Sequence, residues 1–233
     1  MICLNLFDNL KQPQLFSSLP FNMYNIIFII IASFVSTLGL LYNSTSAIVG
    51  SMIISSIPNA ILSALIYFLT DQYYLSLSKV LHFMVLVFIA VTISVISGYY
   101  NRIKRVFKTP TDEMKARVTY THVLVDVLFA IISGVGLSLA IINNDTISKV
   151  GFSFILAITP PLCNFGLYYG EALYEYTQNL DSEGNQIDKN EEHYHQLMDD
   201  GNKSLLLFTL NILSMVTALL FSLNILCKTN IAK

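Results

Sequence analysis

Charge is what this sequence has least of. Asp, Glu, Lys and Arg make up 12% of its 233 residues, about half of the roughly 25% usual in a soluble chain. A water-soluble domain of this length would lack the polar groups to cover its surface. The balance is also flat, with a net charge of −2 and a pI near 6.0, which leaves no basic field to attract nucleic acid. Tryptophan is absent, so an aromatic girdle must come from Tyr and Phe, as the pairs Tyr73–Tyr74, Tyr99–Tyr100 and Tyr168–Tyr169 would supply. The three cysteines, Cys3, Cys163 and Cys227, are far apart and odd in number. That spacing excludes a disulfide framework and a zinc site and reads as small apolar packing. No basic stretch with a small-residue cleavage site precedes the first apolar run, so a removed signal peptide is not expected. Catalytic signatures are missing too: there is no HExxH, nucleophile elbow, P-loop or dinucleotide glycine fingerprint. The run Glu191 to His195 holds only an isolated HxH, which reads as a solvated loop rather than a metal site. The expectation is a protein that is not an enzyme, with no cofactor and no metal.

What is present is apolar length. Hydrophobic residues make up 54% and mean hydropathy is +0.61, and several runs approach or pass the ~18 residues that cross a bilayer. The sequence predicts an all-α integral membrane protein of six segments, near 25–42, 46–70, 80–100, 123–142, 147–177 and 204–226. It divides into an N-terminal tail or interfacial segment (1–24), a first half (25–100), a basic loop (101–122), a second half (123–227, with an acidic loop at 178–203) and a tail (228–233). In the basic loop Arg102, Lys104, Arg105, Lys108, Lys115 and Arg117 outnumber Asp112 and Glu113. The positive-inside rule makes that loop cytoplasmic, in a membrane the sequence does not name.

Two of the six segments are interrupted. Pro58 lies inside the second, and Pro160 and Pro161 lie inside the fifth. Proline removes a backbone donor and clashes with the preceding turn, and freed backbone groups in hydrocarbon survive only against protein or water. The two interrupted stretches also resemble each other. Asn43 and Thr45 match Asn144 and Thr146, Val49–Gly50 matches Val150–Gly151, and Pro58 falls near the register of Pro160. The chain therefore reads as two pseudo-symmetric halves, each of span, broken segment and span, and paired interruptions of this kind point to a transporter-like binding site. If the broken segments cross fully the halves are inverted; if they are re-entrant hairpins the halves are parallel. Residues 46–70 would make about 37 Å of helix at ~1.5 Å per residue, so crossing is the preferred reading.

Polar groups in this apolar setting are the candidate site. Ser55, Ser56, Asn59, Thr159 and Asn164 flank the breaks, where hydroxyls, freed carbonyls and half-helix ends can hold an ion or solute. The bland alternative is that they satisfy the broken backbone. Asp126 sits one turn inside the fourth span, where a carboxylate is costly and needs a cavity, a partner or the interface. Glu171 and Glu175, one turn apart near a segment end, read as solvated.

These motifs resemble a family. Leu38 to Ser56 is similar to the first signature of the uncharacterised hydrophobic membrane proteins catalogued as domain of unknown function 389, in which an Asn-Ser element leads into a Pro-containing break. The stretch Thr121 to Gly136, with Asp126, resembles the second; Ile158 to Leu162 with Gly166 resembles the third; and Leu205 to Ser214 with Asn211 resembles the last helix. The resemblance covers about residues 25–227 in order. It departs at the first break, where the family's prolines fall near positions 56 and 60 and this chain has Pro58. The resemblance implies a membrane protein without an established function. The functional expectation is a small-solute or ion transporter or channel-like protein with its site between the breaks. The alternative is a non-transporting structural or scaffold protein. The expected partners are the bilayer, a small solute or ion and further copies of the chain, and no nucleic acid.

Overall fold

A computed structural model describes residues 23–143, 158–178 and 191–231, and every regular element among them is helical. In chain order these are α1 (Met23–Leu41), α2 (Thr45–Ile54), α3 (Ile57–Leu69), α4 (Tyr73–Lys104), α5 (Asp112–Ala116), α6 (Tyr120–Ile142), α7 (Thr159–Gln178) and α8 (Glu191–Ile231). Among the described residues five stretches are long and apolar enough to cross a membrane: Met23–Leu41, Thr45–Leu69, Tyr73–Lys104, His122–Ile142 and Glu192–Leu226. Large apolar side chains on their outer faces, such as Phe88, Leu124 and Phe221, are about 70% exposed (71%, 72% and 69%). A soluble monomer does not present apolar surface on that scale; the outer faces are solvated by lipid, and the protein is an integral membrane protein.

Three expected loops are shorter or more ordered than their polarity suggests. The connector expected from Asp71 to Lys79 ends at Gln72, because α4 already begins at Tyr73. Its first turns are held to α3 by the Ser76 hydroxyl, which donates to the Ala64 carbonyl at 2.8 Å. In the acidic loop expected at 178–203, residues from Glu191 onward are helix continuous with the last span. The basic loop contains α5, whose N-cap Thr111 accepts from the Met114 backbone at 3.3 Å. Hydropathy alone cannot see such extensions, since a helix that leaves the bilayer keeps its backbone bonds and changes only its side chains.

Helix α5 docks on the turn between α1 and α2. Asn43 closes α1 with φ 57°, a left-handed conformation that Asn tolerates better than most residues. Its side-chain oxygen accepts from the Glu113 backbone at 2.9 Å, the Thr45 hydroxyl donates to the Glu113 carboxylate, and the Thr111 hydroxyl donates to the Leu40 carbonyl at 2.6 Å. Burial by itself would raise the Glu113 carboxyl; the Thr45 hydroxyl and Arg117 outweigh it and hold the group below the usual carboxylate range. The docking drives Met114 to full burial beside Leu40, Ile48 and Leu167. The basic loop is thus part of the folded core.

The centre of the molecule is α7, which packs on α4 and α8 and also on α1 and α2. Thirteen of its twenty residues are buried. It runs alongside α4 in the same direction: Gly166 lies against Ser94, Gly170 against Val95 and Tyr99, and Glu175 reaches Arg102. The two backbones touch. A methyl group added at Gly98 would meet the Leu167 carbonyl, and one added at Gly170 would meet the carbonyl of Val95. Small residues four apart are what permits such an approach between helices in lipid. On its other side α7 meets α8 antiparallel, with Asn164 beside Ser204 and Tyr169 beside Asn202.

Candidate functional site

The interruption between α2 and α3 has a local cause. Pro58 occupies the first turn of α3 and has no N–H to offer the Ile54 carbonyl one turn back. Ser55 leaves the helix with φ −62° and ψ 131°, while its own N–H still reaches the Ser51 carbonyl at 3.0 Å. The next hydroxyl, Ser56, bonds outward to the Asn25 carbonyl of α1 at 2.8 Å. Pro160 and Pro161 lie in the first turn of α7, where a missing N–H is tolerated. The residues expected to form the other half of that interrupted segment, 144–157, lie outside the described residues.

The two proline-flanked points meet. The Thr159 hydroxyl, on the first residue of α7, donates to the Ser55 hydroxyl at 2.7 Å, across 104 positions of sequence. Ser55 is 8% exposed and Thr159 2%, so the contact is closed to solvent. Asn164 stands further along α7. Its side-chain amide donates to the Met114 carbonyl at 3.1 Å and to the Ser204 hydroxyl at 2.8 Å, tying the basic loop to α7 and α8. Its Oδ1 and the Tyr168 hydroxyl, one turn on, are buried with no hydrogen-bond partner among the described residues. A buried polar atom left unpaired costs about 1–3 kcal/mol, so this face of α7 holds acceptor capacity that packing does not use.

Other expected site residues lie elsewhere. Asn59 is exposed on α3 and takes part only through its backbone carbonyl, which accepts from Ser63 at 2.7 Å. Asp126 is half-buried near the loop end of α6, within electrostatic reach of Arg117 and His122. Ser55, Ser56 and Thr159 are thus gathered at one point, Asn164 follows along α7, and Asn59 and Asp126 are apart from it. A cavity of about 540 Å³ opens between α3, α4 and α8, but Leu65, Phe68, Phe83, Phe208 and Ile212 line it. Its chemistry suits lipid chains, and it does not include the break residues.

The sequence reading missed an ionic cluster at the loop end of α7. Glu171 and Glu175, expected to be solvated, are 1% and 5% exposed. Arg102 Nε donates to Glu175 Oε1 at 2.6 Å, and its Nη2 lies 3.1 Å from His193 Nε2. Asn101 sits between the Glu171 carboxylate at 3.5 Å and the Phe107 backbone, from which its Oδ1 accepts at 2.9 Å. Tyr168 likewise belongs to the core rather than to an aromatic girdle, with no exposure at all. The signal was available in the neighbours of the two glutamates: Gly166, Gly170 and Ala172 share their helix, and a helix paved with small residues is one that others press against.

The family described as Domain of unknown function (DUF389) matches residues 52–227. The chain belongs to that family. The match takes in every break residue, the basic loop and α8 up to residue 227, and it begins at Met52, inside the stretch Leu38 to Ser56 that carried the first resemblance. No curated protein and no solved structure matches the chain. Within this DUF389 member, the residues described above are therefore the ground for any functional reading.

Proposed function

We propose that this DUF389 protein is a small-solute or ion transporter or channel-like protein whose site is the meeting point of two helix interruptions. The observation that carries the reading is the buried hydroxyl pair Ser55–Thr159, because interrupted helices that meet at membrane depth are where membrane proteins place solute and ion sites. The unpaired oxygens of Asn164 and Tyr168 would take up the solute as it passes along α7. Reconstituted in vesicles, the protein should conduct at least one member of a panel of monovalent ions and small polar solutes. Thr159→Val, which keeps the shape and deletes the hydroxyl, should cut that flux at least tenfold and leave the thermal midpoint within a few degrees. The alternative is a non-transporting scaffold, favoured by how fully Ser55 and Thr159 satisfy each other. An absence of flux across the whole panel, with Thr159→Val affecting stability alone, would replace transport with that reading.

The topology proposed with it is an inverted pair of three-crossing halves, the basic loop cytoplasmic. Support comes from the first interrupted segment, which begins beside Glu113 of the basic loop and ends where Ala64 meets Ser76 at the start of α4. Single cysteines at Ser46 and Tyr74, both exposed, introduced into a cysteine-free background, should react with an impermeant maleimide from opposite faces of the membrane. Labelling of both from one face would establish re-entrant hairpins instead.

A further inference from the structure

Two cavities adjoin where the basic loop meets the bilayer. One, of about 380 Å³, is polar and takes Asn43, Lys108, Thr111, Asp112 and Lys115 into its wall. The other, of about 200 Å³, is an apolar groove between α1 and α4, walled by Phe34, Leu38, Tyr100, Val106 and Phe107. Leu41 lines both, and the ring of Tyr42 in the polar wall meets that of Phe107 in the apolar wall at a 60° tilt, their centroids 4.4 Å apart. A charged compartment set against an apolar one at a helix end matches the shape of a lipid: headgroup above, chain below.

The charges select the headgroup. Arg102 is engaged by Glu175 and Arg117 by Glu113. Asn43 and Thr111 are occupied with the Glu113 backbone and the Leu40 carbonyl. Lys108 and Lys115 are exposed and have no carboxylate partner among the described residues. With Asp112 on the same wall, the pocket carries one net positive charge. We propose that this pocket and groove form a binding site for one anionic phospholipid, a phosphodiester between Lys108 and Lys115 with an acyl chain along α1 and α4. A monoanionic headgroup with hydroxyls fits best, because the Asp112 carboxylate accepts hydrogen bonds from a polyol and repels a second phosphate. Basic pockets between membrane helices hold lipid headgroups in this way, each Lys contributing on the order of 1 kcal/mol.

The test is retention of lipid by the full-length protein in neutral detergent, read by native mass spectrometry and by thermal midpoint. The probes are phosphatidylglycerol, phosphatidylcholine and inorganic phosphate. Phosphatidylglycerol should be retained at one per chain and raise the midpoint more than phosphatidylcholine does, and added salt should erode the difference. The double variant Lys108→Gln, Lys115→Gln should lose that preference about thirtyfold, two lysines at the value above. Both residues are exposed, so the fold should persist. Leu38→Trp, at a groove residue 47% exposed to the outside, should reduce retention of both lipids. Equal retention of the two lipids, protection by inorganic phosphate matching that by phosphatidylglycerol, or an unchanged preference in the double lysine variant would each overturn the assignment. None of these readings depends on whether the protein transports anything.

Discussion

Gly170→Leu should leave no folded, monodisperse protein in detergent. The side chain would project into the Val95 carbonyl and the Tyr99 amide of α4. Overpacking a core usually costs about 1–3 kcal/mol because neighbouring side chains shift. Here the obstacle is backbone on both sides, so the helices must part along the whole Gly166–Gly170 contact, and the loss should exceed that range. The control lies in the same chain. Gly50 has open space where its Cβ would be, so Gly50→Ala should be neutral or stabilising by up to ~1 kcal/mol through helix propensity. Size-exclusion profiles and thermal midpoints of the two variants give the comparison, and a Gly170→Leu protein that elutes and melts as the parent does would refute the close approach of α4 and α7.

The second large effect is expected at the ionic cluster. Glu175→Gln and Arg102→Met should each destabilise the protein by roughly 2–3 kcal/mol. Breaking a well-buried pair costs ~3–5 kcal/mol because the remaining charge is stranded; Arg102, 30% exposed in its side chain, retains some solvent, which lowers the figure. The double variant Arg102→Met, Glu175→Gln should be more stable than the sum of the single losses implies, since neither charge of the pair is left without its partner. Denaturation midpoints of the four proteins measure this coupling. Additive losses would mean that the two side chains act independently and that the cluster is only a surface feature.

If both results hold, α7 is the element on which the fold depends, joined to α4 by backbone contact over one stretch and by charge at its end. That has a consequence for the proposed function. A helix locked along α4 cannot swing freely, so any opening at Ser55–Thr159 must come from α2 or α3 moving against it. Met114 and Asn164 then become relevant, because their hydrogen bond ties the basic loop to the α7–α8 seam.

The sequence by itself determined the solvent. Scarce charge and long apolar runs point to a lipid-embedded helical protein, because backbone polar groups in hydrocarbon must be paired within their own helix. It also drew attention to Pro58 in the second segment, since a proline's missing N–H is a property of one residue and needs no partner to act. The order of motifs was enough to recognise the family. Tertiary structure alone decided which of the polar residues beside the prolines meet. Ser55 and Thr159 meet and Asn59 turns away, although all three flank prolines, because the orientation of a hydroxyl depends on which helix lies opposite. It decided as well what buries Glu171 and Glu175: the small residues beside them mark a packed helix, but no residue of that stretch says that Arg102 and Asn101 of α4 lie opposite. Hydropathy measures a residue's cost in lipid. Whether that cost is met by solvent or by a partner is fixed by packing.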